Sequence, residues 1–253
     1  MFTSNPFAEL SASLPNLVMQ IYVAVMMFLV VAGTLADIIH KKSARYFFEN
    51  WRKAQNKGTH KVGGGEMISL AVQTAAVDVA TSSEFCNPWR RIAHLFTMYG
   101  FLIYVVMTAI MVFGYPTPAS ETPAVIALLW YIGALMVCFG GYWFWFFIRV
   151  DVAAEGNSPF RVMRADLFIL SLLGSVSFAV VWAHLELTDS PWSPLLLGLY
   201  LIATTVLFAA IPWSKFSHMF FKPATALQKR VENANGSRSN LPAPADKPEV
   251  FPR

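Results

Sequence analysis

The sequence predicts an all-α integral membrane bundle of five transmembrane helices. Three observations carry that reading. Of 253 residues, 56% are hydrophobic and 13% charged; five long apolar segments recur along the chain; and every Lys and Arg falls on one side of them. Such a composition, with a mean hydropathy of +0.49, leaves too few polar side chains to clothe a water-soluble domain.

Each element follows from the same physics. A bilayer span takes roughly 20 mostly apolar residues and closes its backbone hydrogen bonds within itself, as a helix does. Segments 17–39, 92–114, 124–148, 166–187 and 194–213 meet both conditions. The N-terminus lacks the basic stretch and small-residue cleavage site of a secretory signal, so the first span is expected to be retained.

Charge sets the orientation. Nine of the nineteen Lys and Arg residues lie from Lys41 to Arg91, three are Arg149, Arg161 and Arg164, and seven lie from Lys215 onward. The positive-inside rule then puts the N-terminus outside and the C-terminus in the cytoplasm of a bacterial cytoplasmic membrane, in multi-pass topology. The outward loops, "YPTPASETP" and "ELTDSPWSP", are short and acidic. Topology and anionic lipid account for the net charge of +4, which excludes a nucleic-acid reading.

The chain divides into an outer N-terminal segment 1–16, a membrane domain 17–213 with a cytoplasmic loop 40–91, and a cytoplasmic tail 214–253. The tail is polar and Pro-rich beyond about residue 232, where disorder is expected. Within the loop, "GGGEMISLAVQTAAVDVATSSEF" reads as a turn and an apolar helix too short and too charged to span. Its expected place is the membrane interface, as a lid on the bundle or a platform for a soluble partner. Trp51, Arg52, Lys53, Lys57 and Lys61 precede it and offer a basic rim to an acidic protein. The two cysteines, Cys86 and Cys138, form neither a disulfide framework nor a CxxC site.

Among five histidines, His60 lies in a polar loop and His40 ends the first span beside Lys41 and Lys42. Intramembrane ionisable residues usually mark function, which singles out His94, His184 and His218. His94 enters the second span and His218 follows the fifth, so both fall at the cytoplasmic edge, whereas His184 lies near the outer face. Two imidazoles at one depth on two helices suit the axial positions of a single non-covalent haem b. Arg90, Arg91 and Lys215 lie on the side where its propionates would point. Phe96, Tyr99, Phe216, Phe220 and Phe221 are aromatic packing for the ring.

The stretches "NPWRRIAHLFTMYGFLIYVVMTAIM" and "PWSKFSHMFFKPATAL" resemble the second helix and the end of the fifth in haem b membrane subunits related to the nitrate reductase γ subunit. That group includes QmoC, DsrM, HdrE and the AprM-type proteins that accompany dissimilatory adenylylsulfate reductase. The resemblance implies haem b between His94 and His218, with both imidazoles on the iron. It also implies the absence of the group's second, outer haem, whose ligand positions here hold Tyr104 and Tyr200. His184 then has no counterpart, and three roles stay open: a quinone hydrogen bond, a ligand in a rearranged site, or packing.

The function so implied is a membrane anchor and haem b electron relay between cytoplasmic adenylylsulfate reductase, or a related iron-sulfur or flavin complex, and the quinone pool. The chain would be an electron-transfer subunit rather than a stand-alone enzyme. The rival reading is a haem-free anchor for the same complex; a small transporter is a third. Asp166, one turn from Arg161 and Arg164, is read as an interfacial ion-pair residue or a proton-transfer group.

Overall fold

The computed structural model describes residues 2–40, 43–83, 85, 87–149, 160, 162–163, 166–211, 218–239 and 241. Arg161, Arg164, Lys215, Phe216 and Cys86 lie outside these, as do the side chains of His218 and Phe220. Nine α-helices and no strand occur among the described residues: α1 Pro6–Leu10, α2 Asn16–His40, α3 Ser43–Lys57, α4 Gly64–Gln73, α5 Pro88–Ala109, α6 Ala124–Trp143, α7 Leu167–Glu186, α8 Ser193–Ala209 and α9 His218–Ala234. Wider π turns extend three of them, at Thr74–Val79, Ile110–Gly114 and Phe144–Ile148. The chain forms two units, Met1–Asp37 with Ser82–Ser217, and Ile38–Thr81 with His218–Arg253.

Asn16–His40, whose last three residues belong to the second unit, and Pro88–Gly114, Ala124–Ile148 and Leu167–Glu186 of the first unit are long and apolar enough to cross a membrane. Helix α8 is apolar but has 17 residues, about 25 Å at 1.5 Å per residue. Without a hydrophobic driving force inside lipid, such helices associate through close packing at small residues and through polar contacts. Helices α5 and α6 do so by backbone approach. A Cβ on Gly140 would stand 2.5 Å from the Ala93 carbonyl oxygen, and one on Gly100 would stand 2.7 Å from that of Gly133. Farther along the antiparallel pair, Trp89 stacks on Trp143 with ring centroids 5.6 Å apart.

Helices α7 and α8 form a second antiparallel pair. Ser175 and Thr204 share a hydroxyl hydrogen bond of 2.7 Å, and Trp182 stacks on Tyr200 at 5.8 Å. The pairs meet where Leu173 fills the space beside Gly141 and the Tyr142 and Ser177 hydroxyls share a bond of 2.8 Å. Helix α2 presents mostly exposed apolar residues, among them Ile21, Phe28 and Val31. It is tied to the bundle by Tyr22, which donates to the Leu201 carbonyl at 2.9 Å, and by Gln20, which donates to that of Val112 at 3.2 Å.

The short helix α1 falls in the segment read as outer, and all of its residues but Glu9 are buried. The Asn5 side chain accepts from the Phe7 and Ala8 backbone N–H groups, which caps the helix, and Pro6 occupies its first turn. The same side chain donates to the Tyr115 carbonyl and to Thr122, both at 3.0 Å. Phe7 thereby reaches the core, edge-on to Trp130 at 5.9 Å and tilted against Trp182 at 5.1 Å.

In the second unit, the end of α9 clasps the chain after α3: the Asn235 carbonyl accepts from Thr59 and His60 backbone N–H groups at 2.8 and 3.3 Å. Arg230 forks onto Asp78 at 2.5 and 3.1 Å. That carboxylate raises the guanidinium pKa above its ordinary value. On α4, Thr74 beyond its last turn is buried, whereas Ile68 and Val72 point outward.

Candidate functional site

The bundle core is built from aromatics that the helices bring together at one level. Tyr104 on α5 donates its hydroxyl to that of Tyr200 on α8 at 3.1 Å. Trp130 on α6 packs on Tyr104 at 5.3 Å and donates its indole N–H to the Thr108 hydroxyl at 2.8 Å. With the Trp182 and Tyr200 stack and the Phe7 contacts, five rings form a closed circuit. Trp130, Tyr131 and Trp182 are each at most 1% exposed. Tyr104 and Tyr200, hydrogen-bonded to each other, are the two positions at which the family resemblance implied a missing outer haem. The Trp182 indole nitrogen and the Tyr131 hydroxyl are buried without a hydrogen-bond partner.

His94 lies near the start of α5, half-buried, with its ring 5.0 Å from that of Phe85. Arg90 and Arg91, one turn earlier, are also half-buried. Their helix begins at Asn87, whose side chain accepts from the Trp89 and Arg90 backbone N–H groups at 2.9 and 3.3 Å. Phe96 and Tyr99 are exposed at 37% and 38%, and Phe221 on α9 is half-buried. His218 opens α9 in the second unit. His184 is exposed on α7, and its carbonyl accepts from Thr188 at 2.9 Å. His60 is bound to Glu66 at 3.0 Å. Among the described residues no group of three or more His, Cys, Asp or Glu could hold a metal ion.

Where α6 and α7 are joined, Asp166 takes a partner the sequence reading passed over. Arg149 meets it through two bonds of 3.0 and 2.5 Å, and the carboxylate also accepts from the Met163 backbone N–H at 2.8 Å. The Arg149 guanidinium lies 4.1 Å from the Trp145 ring centroid. The pair is nearly sealed, with side chains 11% and 10% exposed. Spacing in the sequence does not reveal this pairing, because the partners stand seventeen positions apart and two other arginines, Arg161 and Arg164, are nearer to Asp166 in the chain. On the outer face of α6, an apolar groove of about 420 Å³ is lined by Leu135, Cys138, Phe139, Tyr142, Trp143, Phe146 and Phe147.

Comparison with known proteins sets the family. The family model described as citrate utilization protein B matches residues 14–239, and the chain belongs to that family. The Escherichia coli protein named citrate utilization protein B is 27% identical over 161 residues, which are 60% of this chain and 40% of the relative. The chain thus matches about two fifths of the length of that curated relative. No solved structure matches.

The family match corrects the function drawn from the two histidine stretches. Neither the AprM-type assignment, nor the relay or anchor role for adenylylsulfate reductase, nor the associated quinone and sulfur-metabolism reading stands against it. The physical reason is plain. A histidine in the first turn of a span and another beyond the last span are ordinary features of membrane-helix ends. The surrounding Phe, Leu, Met and Tyr residues match by composition wherever a helix meets lipid.

Proposed function

We propose that this chain is the membrane-embedded part of a citrate-utilisation system. The match over residues 14–239 carries this reading, because it runs through both units and every candidate span. The chain is a fixed component rather than the conduit for citrate. A tricarboxylate needs a hydrated or cation-lined path, whereas the interior of the bundle toward its Tyr115 and Thr122 end is filled by Trp130, Tyr131, Trp182 and Met111, each at most 1% exposed. Deletion from its host should abolish growth on citrate as sole carbon source and leave growth on acetate intact, with the wild-type chain restoring it. Unchanged growth on citrate would overturn the assignment. Liposomes carrying the purified protein should show no citrate flux above empty vesicles.

The topology has five spans. Helix α8 lies antiparallel along α7 from Ser175 with Thr204 to Trp182 with Tyr200. A helix held side by side with a span shares its depth, and 17 residues reach the lower end of spanning lengths. The Lys and Arg distribution supports a cytoplasmic C-terminus in the bacterial inner membrane. Helix α4 lies at the membrane interface, where its outward Ile68 and Val72, with Val77 in the π turn, meet acyl chains.

Haem ligation is a proposal of its own, apart from any relay role. His94 would suit a ligand to haem iron in its half-burial and in the guanidinium groups one turn away; His218 is assigned by sequence depth. When bound, the group would supply a redox-active iron. His94 would orient it from α5, and Arg90 and Arg91 would hold its carboxylates. The purified protein should show a Soret band that shifts on dithionite reduction. His94→Ala and His218→Ala should each abolish the low-spin spectrum, and His60→Ala should leave it unchanged. A colourless, folded protein from haem-supplemented cells would refute the ligation.

A further inference from the structure

We propose that α3 docks on anionic phospholipid headgroups, with Phe48 as its apolar anchor and Arg45 and Arg52 as flanking cations. The inference rests on α2 being a span and not on the citrate assignment. Covalent reach gives the place. Helix α3 begins at Ser43, three residues after α2 ends at His40. Three peptide units extend at most about 10 Å, so a helix that follows a span so closely starts within headgroup distance. The linking residues are Lys41 and Lys42.

Helical spacing gives the face. Arg45 and Arg52 stand three residues before and four after Phe48, so all three share one side of the helix. Each points outward. Phe48 is 59% exposed, the Arg45 side chain is 73% exposed, and Arg52 is exposed. The side turned to the unit's own core is marked by Ala54, at 2% exposure, with the Phe47 and Trp51 rings half-buried and 5.8 Å apart. Packing within the unit therefore leaves Phe48 over, beside two long cations that can lay their stems along an apolar surface.

Charge selects the lipid. Helix α3 carries Arg45, Arg52, Lys53 and Lys57 against Glu49 alone, four minus one giving +3, and Glu49 is already bound to Arg45 at 2.7 Å. An anionic leaflet attracts a basic juxtamembrane segment, whereas a zwitterionic one exerts no net field. A soluble anion such as citrate would answer the cations but offer nothing to Phe48.

The test uses the full-length chain with Cys86→Ser and Cys138→Ser. A nitroxide is placed at Gln55→Cys, seven residues beyond Phe48 on the same face. The protein is reconstituted in nanodiscs of phosphatidylcholine alone and of phosphatidylcholine with phosphatidylglycerol. In the anionic discs the label should be more accessible to oxygen than to a water-soluble nickel chelate, and in the neutral discs the preference should reverse. Arg45→Glu with Arg52→Glu should reverse it in anionic discs too, while the Lys pair at both positions should keep it. A label at Tyr46→Cys, two residues before Phe48 and so on the opposite side of the helix, where the native side chain is 61% exposed, should stay water-accessible throughout. Equal accessibility in both lipids would overturn the proposal. Protection that survives charge reversal would overturn it in favour of a protein or purely apolar contact, and loss of protection on adding millimolar citrate would do so in favour of a soluble anion.

Discussion

Gly140 has no room for a side chain. Its missing Cβ would lie 2.5 Å from the Ala93 carbonyl oxygen and 2.6 Å from the Thr97 hydroxyl, and the first neighbour is backbone, which cannot swing aside. Gly140→Val must part α5 from α6, at a cost of about 1–3 kcal/mol or more for overpacking. Gly198 meets nothing within 4 Å and sits inside a helix, so Gly198→Ala should be neutral or raise the midpoint slightly. Thermal unfolding in one detergent checks both. Asp166 makes the second residue-scale case. Asp166→Asn leaves the Arg149 charge nearly buried with one partner fewer, and breaking such a pair costs about 3–5 kcal/mol. Asp166→Leu combined with Arg149→Met should recover much of that loss in the same assay, because no uncompensated charge is left. The carboxylate was legible in the sequence as an ion-pair residue. Its partner was not, since Arg161 and Arg164 are nearer in the chain than Arg149. The Tyr104 and Tyr200 pair was likewise visible only as two positions lacking histidine, because a hydrogen bond between residues 96 apart is set by how two helices meet.

At the scale of elements, hydropathy located the four helices long and apolar enough to cross a membrane to within a few residues, because lipid demands an unbroken apolar stretch and leaves that signature in the chain. It missed α1, whose five residues are too few for any window. What holds α1 is specific: an asparagine cap and one phenylalanine against two tryptophans. Asn5→Ala removes the cap and the bonds to Tyr115 and Thr122 together. The cap alone is worth about 0.5–2 kcal/mol. Cleavage by protease added from the outer side should therefore become faster at residues 6–10, while the spans stay protected. Helix α3 supplies a prediction in pH. Its Glu49 carboxyl is held below the ordinary 4.5 by hydrogen bonding to Arg45. A carboxylate with a depressed folded-state pKa stabilises above its unfolded value, and that contribution is lost as pH falls through the folded value. Arg45→Ala should thus raise the Glu49 pKa toward 4.5, read from the side-chain carbonyl resonance in a carbon-13 titration. A Glu49 pKa unmoved by that change would mean the contact is absent in solution.

For the whole molecule, the number of spans decides what the two ends can do. Charge gives an expected orientation before any geometry, whereas the function was not legible. The histidine motifs sit at helix ends, where membrane proteins of unrelated purpose converge, and the family relationship is spread over residues 14–239 rather than concentrated in a motif. Parity tests the topology without reference to function. If α8 crosses with the four longer helices, the termini lie on opposite sides; if it does not, four crossings return them to the same side. Reporters fused before residue 6, within residues 188–191 and after residue 239 separate the cases. Five spans with the basic loops inside predict outer, outer and cytoplasmic activity, respectively. An outer C-terminal reporter together with an outer N-terminal one would leave α8 as a half-crossing hairpin against α7. That outcome would expose Arg230, Lys229 and Lys222 of α9 to the side that otherwise carries no Lys or Arg, at odds with the positive-inside distribution. The expected result is therefore termini on opposite sides, with α9 and the basic residues of α3 on the same side of the membrane.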